Sequence, residues 1–168
     1  MTITYNKYVA AVFRQLVMED KWEEVIKKYE EHVFFQKIKI MGRGTALHVA
    51  VSNAYKDGVK RLVDAIERHG DLSGLILSNE RDATPLHIAA YRGFTSMCEC
   101  IIGEDGERKH LIREKNAKGE TPLFWAVLAR HKKTFLYLHQ FFPYDINLAI
   151  NNNGATILHV AIHREIFG

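Results

Sequence analysis

The chain has little cysteine, little proline and little net charge. Among 168 residues it holds two cysteines, three prolines and a formal charge of +3 at pH 7. Cys98 and Cys100 are two apart, so on a helix they point in different directions. That opposes a disulfide between them and fits a reduced, cytoplasmic setting. A charge of +3 with no basic tract interleaved with aromatics or Arg-Gly pairs does not point to nucleic acid. No apolar run approaches about 18 residues, so no membrane span is expected within this chain. No basic stretch followed by an apolar core marks a signal peptide at the N-terminus. Gly-rich phosphate loops, nucleophile elbows and paired-carboxylate sites are missing too. The expectation is a non-enzymatic protein with no cofactor, no resident metal and no catalytic residue.

What the chain does have is a recurring stretch. Thr45-Ala46-Leu47-His48-Val49-Ala50-Val51 is followed by Thr84-Pro85-Leu86-His87-Ile88-Ala89-Ala90. Thr121-Pro122-Leu123-Phe124-Trp125-Ala126-Val127 and Thr156-Ile157-Leu158-His159-Val160-Ala161-Ile162 come next. The threonines are 39, 37 and 35 residues apart, a period that marks stacked structural units. Thr84 suits an N-cap, its hydroxyl accepting from a backbone N–H two or three residues on. Pro85 and Pro122 then fall at the first helical position, where a missing N–H costs nothing. Leu86, Ala89 and Ala90 put apolar and small groups on one helix face.

The Thr-Pro-Leu-His core resembles the ankyrin repeat, from about residue 40 onward. The resemblance implies an all-α solenoid of helix–turn–helix repeats joined by hairpin-like turns. It also implies that His48, His87 and His159 hydrogen-bond backbone or Thr groups between repeats, a role that Phe124 cannot take. The divisions are a degenerate N-terminal capping pair over 1–40, repeats over 41–78, 79–115 and 116–150, and an incomplete repeat over 151–168. Asn79, Asn116 and Asn151 each lie five residues before a motif Thr, where a side chain can close the turn. A narrower likeness is to plant ankyrin proteins whose array precedes a membrane-spanning domain and which serve defence and stress signalling. It is carried by Trp22-Glu23-Glu24-Val25-Ile26, by Gly44 to Val51 and by the variable spacing.

Along the chain, an amphipathic helix is expected over 5–17. Asp20 caps a second helix, with Glu23 in capping-box position. Phe34 to Ile40 reads as a lone strand or as an extended connection. Ala54-Tyr55-Lys56-Asp57 reads as an insertion before a helix from Gly58 to Arg68. Asp82 stands where the family has Gly, tolerated because Asp accepts positive φ. Gly103 to Lys109 is the expected mobile loop. Arg130-His131-Lys132-Lys133 replaces a Gly-containing link, and the bulky helix that follows it ends at Pro143. The last repeat stops after its first helix, so the sequence reads as a fragment or a truncated array. The apolar side of that helix predicts self-association.

Three groups are of types that can carry chemistry. His159 and His163, with Glu165 nearby, have a spacing that can hold a metal, but the His-Glu-x-x-His pattern is missing. Cys98 on an apolar face reads as a small core residue. Arg130 to Lys133 reads as a solvated link. Binding is the stronger reading. Counted from each Thr, the resemblance places variable contact positions at the turn residues Glu80, Arg81 and Ala83, then Ala117, Lys118 and Glu120, then Asn152, Asn153 and Ala155. On the helices they are Ser52 and Asn53, Tyr91 and Arg92, Leu128 and Ala129, and His163 and Arg164. Tyr91 and Arg92 are central and of types enriched at binding hot spots. The expected ligand is another protein on the concave face. The alternative is the cytosolic portion of a membrane or channel-like signalling protein.

Overall fold

The structure is a computed structural model that describes residues 2–163, with side chains for 6–162. The regular elements among them are helices: α1 Thr2–Met18, α2 Trp22–Glu31, α3 Val33–Gln36, α4 Ala46–Ser52, α5 Lys56–His69, α6 Ser73–Ile76, α7 Pro85–Tyr91, α8 Thr95–Ile102, α9 Pro122–Leu128, α10 Lys132–His139 and α11 Ile157–His163. Short 3-10 stretches cover Lys109–Arg113 and Ile146–Ala149. The first helices of the pairs, α4, α7, α9 and α11, pack on one another in one layer. The second helices, α2, α5, α8 and α10, form the other layer. The core is the strip between the layers, from Phe13, Ile26 and Tyr29 through Leu47, Leu62, Ile66, Leu86 and Ile101 to Phe124. This is the all-α ankyrin solenoid that the repeats imply.

A left-handed link joins the helices of each pair. Asp20, Ala54, Gly93 and Arg130 have φ of 56°, 58°, 71° and 65°. The second helix begins two residues later each time, at Trp22, Lys56, Thr95 and Lys132. Residues 54–57 are therefore no insertion; Ala54 and Arg130 fill the place of Gly93, at a cost of about 1–2 kcal/mol each. The extra length of the 39-residue step lies after the link. There α5 has 14 residues where α8 and α10 have eight. Glycine serves at position 93 for a second reason, since a Cβ there would meet the His131 ring at 2.5 Å.

Four other expectations are corrected. Lys21, not Asp20, is the N-cap of α2 and makes no side-chain cap; Asp20 accepts from Asn53 Nδ2 at 3.3 Å, and Glu23 pairs with Arg61. Residues 33–36 are neither strand nor extended connection but the one-turn α3, because His32 Nδ1 accepts from Phe34 N–H at 3.0 Å. Phe35 of that turn packs on Phe13, ring centroids 5.3 Å apart.

The loop after α8 is tied down. Buried Arg108 donates to the Ile101 carbonyl from Nε (2.8 Å) and to the Cys100 carbonyl from Nη2 (2.9 Å), and its Nη1 pairs with Glu67. It thus satisfies carbonyls that the helix end leaves open. Finally, α10 ends at His139, short of Pro143. Phe141 and Phe142 pack outside it, Phe141 on Gly106 and Phe142 beneath the Arg113 guanidinium at 4.3 Å. On α11, Ile157 and Ala161 are buried while Leu158 and Ile162 face solvent.

Candidate interaction surface

The turns that carry the surface are closed from within. Asn79 Oδ1 accepts from the N–H groups of Arg81 (2.9 Å) and Ala83 (3.2 Å). Asn116 does the same for Lys118 and Glu120, both at 2.9 Å, and Asn151 for Asn153 and Ala155 at 3.1 and 3.0 Å. Ile40 occupies the equivalent place in the first turn and has no such acceptor. Gly42 and Gly44, at φ 68° and 82°, shape that turn instead. Asp82 takes the left-handed position at φ 53°, as Gly119 and Gly154 do in their turns.

Beneath the turns lie the motif residues. Thr45 N–H and hydroxyl both meet His48 Nδ1, at 3.0 and 2.9 Å, and Nε2 lies 3.0 Å from the Ala83 carbonyl. His87 repeats the set, with Thr84 N–H at 3.2 Å, its hydroxyl at 2.9 Å and the Glu120 carbonyl at 3.0 Å. A backbone N–H on Nδ1 and a carbonyl on Nε2 require the neutral tautomer protonated at Nε2. Burial agrees, pushing both rings down to about 4. At the third copy Phe124 is buried, and Thr121 makes the connection itself. Its hydroxyl accepts from Phe124 N–H at 3.2 Å and donates to the Leu148 carbonyl at 2.9 Å. Thr156 and His159 form the local pair again, at 2.8 Å, with His159 exposed.

On the inner face these elements enclose a groove of about 470 Å³ between the first two turns and α4, α7 and α9. Six of the expected contact residues line it: Ser52, Asn53, Glu80, Arg81, Tyr91 and Arg92. Tyr91 is half-exposed and stands edge-on to Trp125 at 5.6 Å. Trp125 in turn rests edge-on against His87 at 5.3 Å. Glu120 does not line the groove. It is buried, and its Oε2 accepts from Trp125 Nε1 at 2.8 Å and Asn116 Nδ2 at 3.0 Å, so it holds the indole in place. Lys118, Leu128, Asn152 and Asn153 lie outside the cavity; Lys118 and Asn153 are exposed at later tips, and Asn152 reaches back to the Ala117 carbonyl at 3.3 Å. The His163 side chain, Arg164 and Glu165 fall outside the described residues.

The groove also contains residues that counting positions missed: Arg43, Val49, Ile88 and Trp125. Val49, Ile88 and Trp125 each lie four residues after a motif Thr, and that shared offset was the available signal. Little else offers chemistry. Burial pushes the Cys98 thiol up, and that of half-buried Cys100 up to about 11, so both are protonated at neutral pH. Among the described residues, no group of three or more His, Cys, Asp or Glu side chains is placed to hold a metal ion.

Comparison with known proteins agrees with this architecture. A family model described as Ankyrin repeats (3 copies) matches residues 86–167. No curated protein matches the chain.

Proposed function

From the ankyrin repeats that the chain carries, we propose a non-enzymatic interaction module that binds a partner protein across the concave face. Ankyrin repeats generally mediate protein–protein contact, and specificity resides in the side chains that the fold presents. The observation that carries the reading is the groove in which Ser52, Asn53, Glu80, Arg81, Tyr91 and Arg92 converge on the Tyr91–Trp125 ledge. A rigid aromatic pair flanked by arginines has the make-up of a binding hot spot. In this reading residues 1–40 act as a capping repeat, supported by the shared left-handed link at Asp20. The further assignment, the cytosolic array of a plant membrane or defence-signalling protein, rests on sequence likeness over residues 22–26 and 44–51. No helix of the described residues is long and apolar enough to cross a membrane.

The test is a binding assay with a partner recovered from the source organism. Tyr91→Ala and Arg92→Ala should each weaken it while helical circular dichroism stays intact. Unchanged affinity in both variants contradicts the concave-face assignment.

A further inference from the structure

Seven of the ten arginines of this chain fall into two groups. Arg61 pairs with Glu23, Arg68 with Glu30, Arg108 with Glu67 and Arg113 with Asp145. Each of these joins elements more than thirty residues apart in sequence. Arg43, Arg81 and Arg92 are different. All three are exposed, all three line the concave groove, and among the described residues none is in an ion pair. Arg92 holds its guanidinium over the Phe94 ring at 5.3 Å, a contact that steadies the group without neutralising its charge. Among the described residues Glu80 is the only carboxylate that lines the groove, and it sits against Gly42, where a Cβ would come within 3.3 Å of its oxygen. Three cations therefore face one anion around an apolar floor of Val49 and Ile88 and the aromatic ledge of Tyr91 and Trp125.

We infer that this groove receives an acidic peptide segment that carries an aromatic or aliphatic anchor residue. The inference rests on the concave-face reading above and names the chemistry of the partner. Guanidinium groups recognise carboxylates through paired N–H···O bonds. Three of them in one groove, without ion pairs among the described residues, are the complement of a segment rich in Asp and Glu. The anchor seats on the Tyr91–Trp125 ledge, and Ser52 and Asn53 on the rim supply hydrogen bonds for peptide amides. A nucleic acid fits less well. Its regularly spaced phosphates meet the Glu80 carboxylate, whereas a peptide places an amide or a cation there.

The test is to pan a phage-displayed library of random dodecapeptides on the chain, then measure enriched peptides by fluorescence anisotropy. Enriched sequences should hold more Asp and Glu than Lys and Arg, grouped around an aromatic or aliphatic residue. Their Kd should rise about tenfold or more in the Arg81→Glu, Arg92→Glu double variant and in Tyr91→Ala, and should rise with salt. Arg61→Glu should leave Kd unchanged. The quieter Arg81→Gln, Arg92→Gln pair, checked by melting temperature, serves if the charge reversal does not fold. Neutral or basic peptides that depend on Tyr91 but not on the arginines overturn the acidic-peptide inference and leave the concave-face reading standing. Binders indifferent to both sets of variants, or no binders at all, overturn both. A single-stranded oligonucleotide that binds as tightly as the peptides, with the same arginine dependence, also overturns the inference.

Discussion

The inner and outer faces of this solenoid use the same residue type for opposite ends. On the outside, arginines are joined to carboxylates of neighbouring repeats, and one of them, Arg108, is buried while doing so. On the inside, Arg43, Arg81 and Arg92 line a groove without ion pairs among the described residues. The outer face also has a cavity, of about 690 Å³, walled by Lys56, Asp64, Glu67, Glu99 and Arg108 among others. It is larger than the inner groove, but Arg108 within it is already satisfied. Size is therefore a poor guide to function here, and unspent hydrogen-bonding capacity beside an aromatic ledge is a better one.

The largest effect should come from acid, because the histidines lie between the two faces. In the fold His48 and His87 stay neutral down to about pH 4, while in the unfolded chain they take up a proton near pH 6.5. The unfolded state thus binds more protons in that window, and stability falls as pH drops from about 6.5 toward about 4. Each ring accounts for on the order of 3 kcal/mol. Urea midpoints measured across that range should fall steeply, and His87→Phe, which copies the third repeat, should blunt the slope. An equal slope in the variant would detach the effect from His87.

Next comes Arg108→Ala. It removes three contacts of a buried cation and leaves Cys100 and Ile101 carbonyls and the Glu67 carboxylate without them, a loss of about 3 kcal/mol in chemical denaturation. Binding in the groove should not change. Tyr91→Ala should do the reverse. About 2 kcal/mol of binding is lost, roughly thirtyfold in Kd, with little change in the denaturation midpoint because the ring is half-exposed. The smallest effect belongs to Arg61→Ala on the outer face. Its exposed pair with Glu23 is of the kind that adds little, so both midpoint and Kd should stay within the error of the measurement.

Much of the fold was legible because the repeat states its own chemistry. Thr before Pro or a small residue starts a helix, Asn five residues earlier closes a turn, and the period orders the stack. The departures have physical causes. Ala54 and Arg130 hide a left-handed link, since neither residue advertises positive φ, so a shared turn looked like an insertion in one repeat and a replacement in another. Phe34 and Phe35 alternate too weakly with their neighbours to separate a strand from a single helical turn, and the cap from His32 decides it. Arg108 looked like part of a polar loop because nothing local shows that it folds back on the end of α8. In the groove, Tyr91 and Arg92 were reached by counting from Thr84. Trp125 was not, because a large aromatic on an apolar helix reads as core until Glu120 is seen holding its indole toward the ledge.

Two tryptophans report separately on the groove and on a place outside its lining. Trp125 lies on the groove ledge, and Trp22 packs against Tyr55 at 5.6 Å and does not line the groove. The most direct test is a titration of the nitrogen-15-labelled chain with a bound partner segment, following the two indole N–H signals. Binding on the concave face predicts that the Trp125 signal shifts and the Trp22 signal stays in place. A shift at Trp22 with Trp125 unmoved would contradict it.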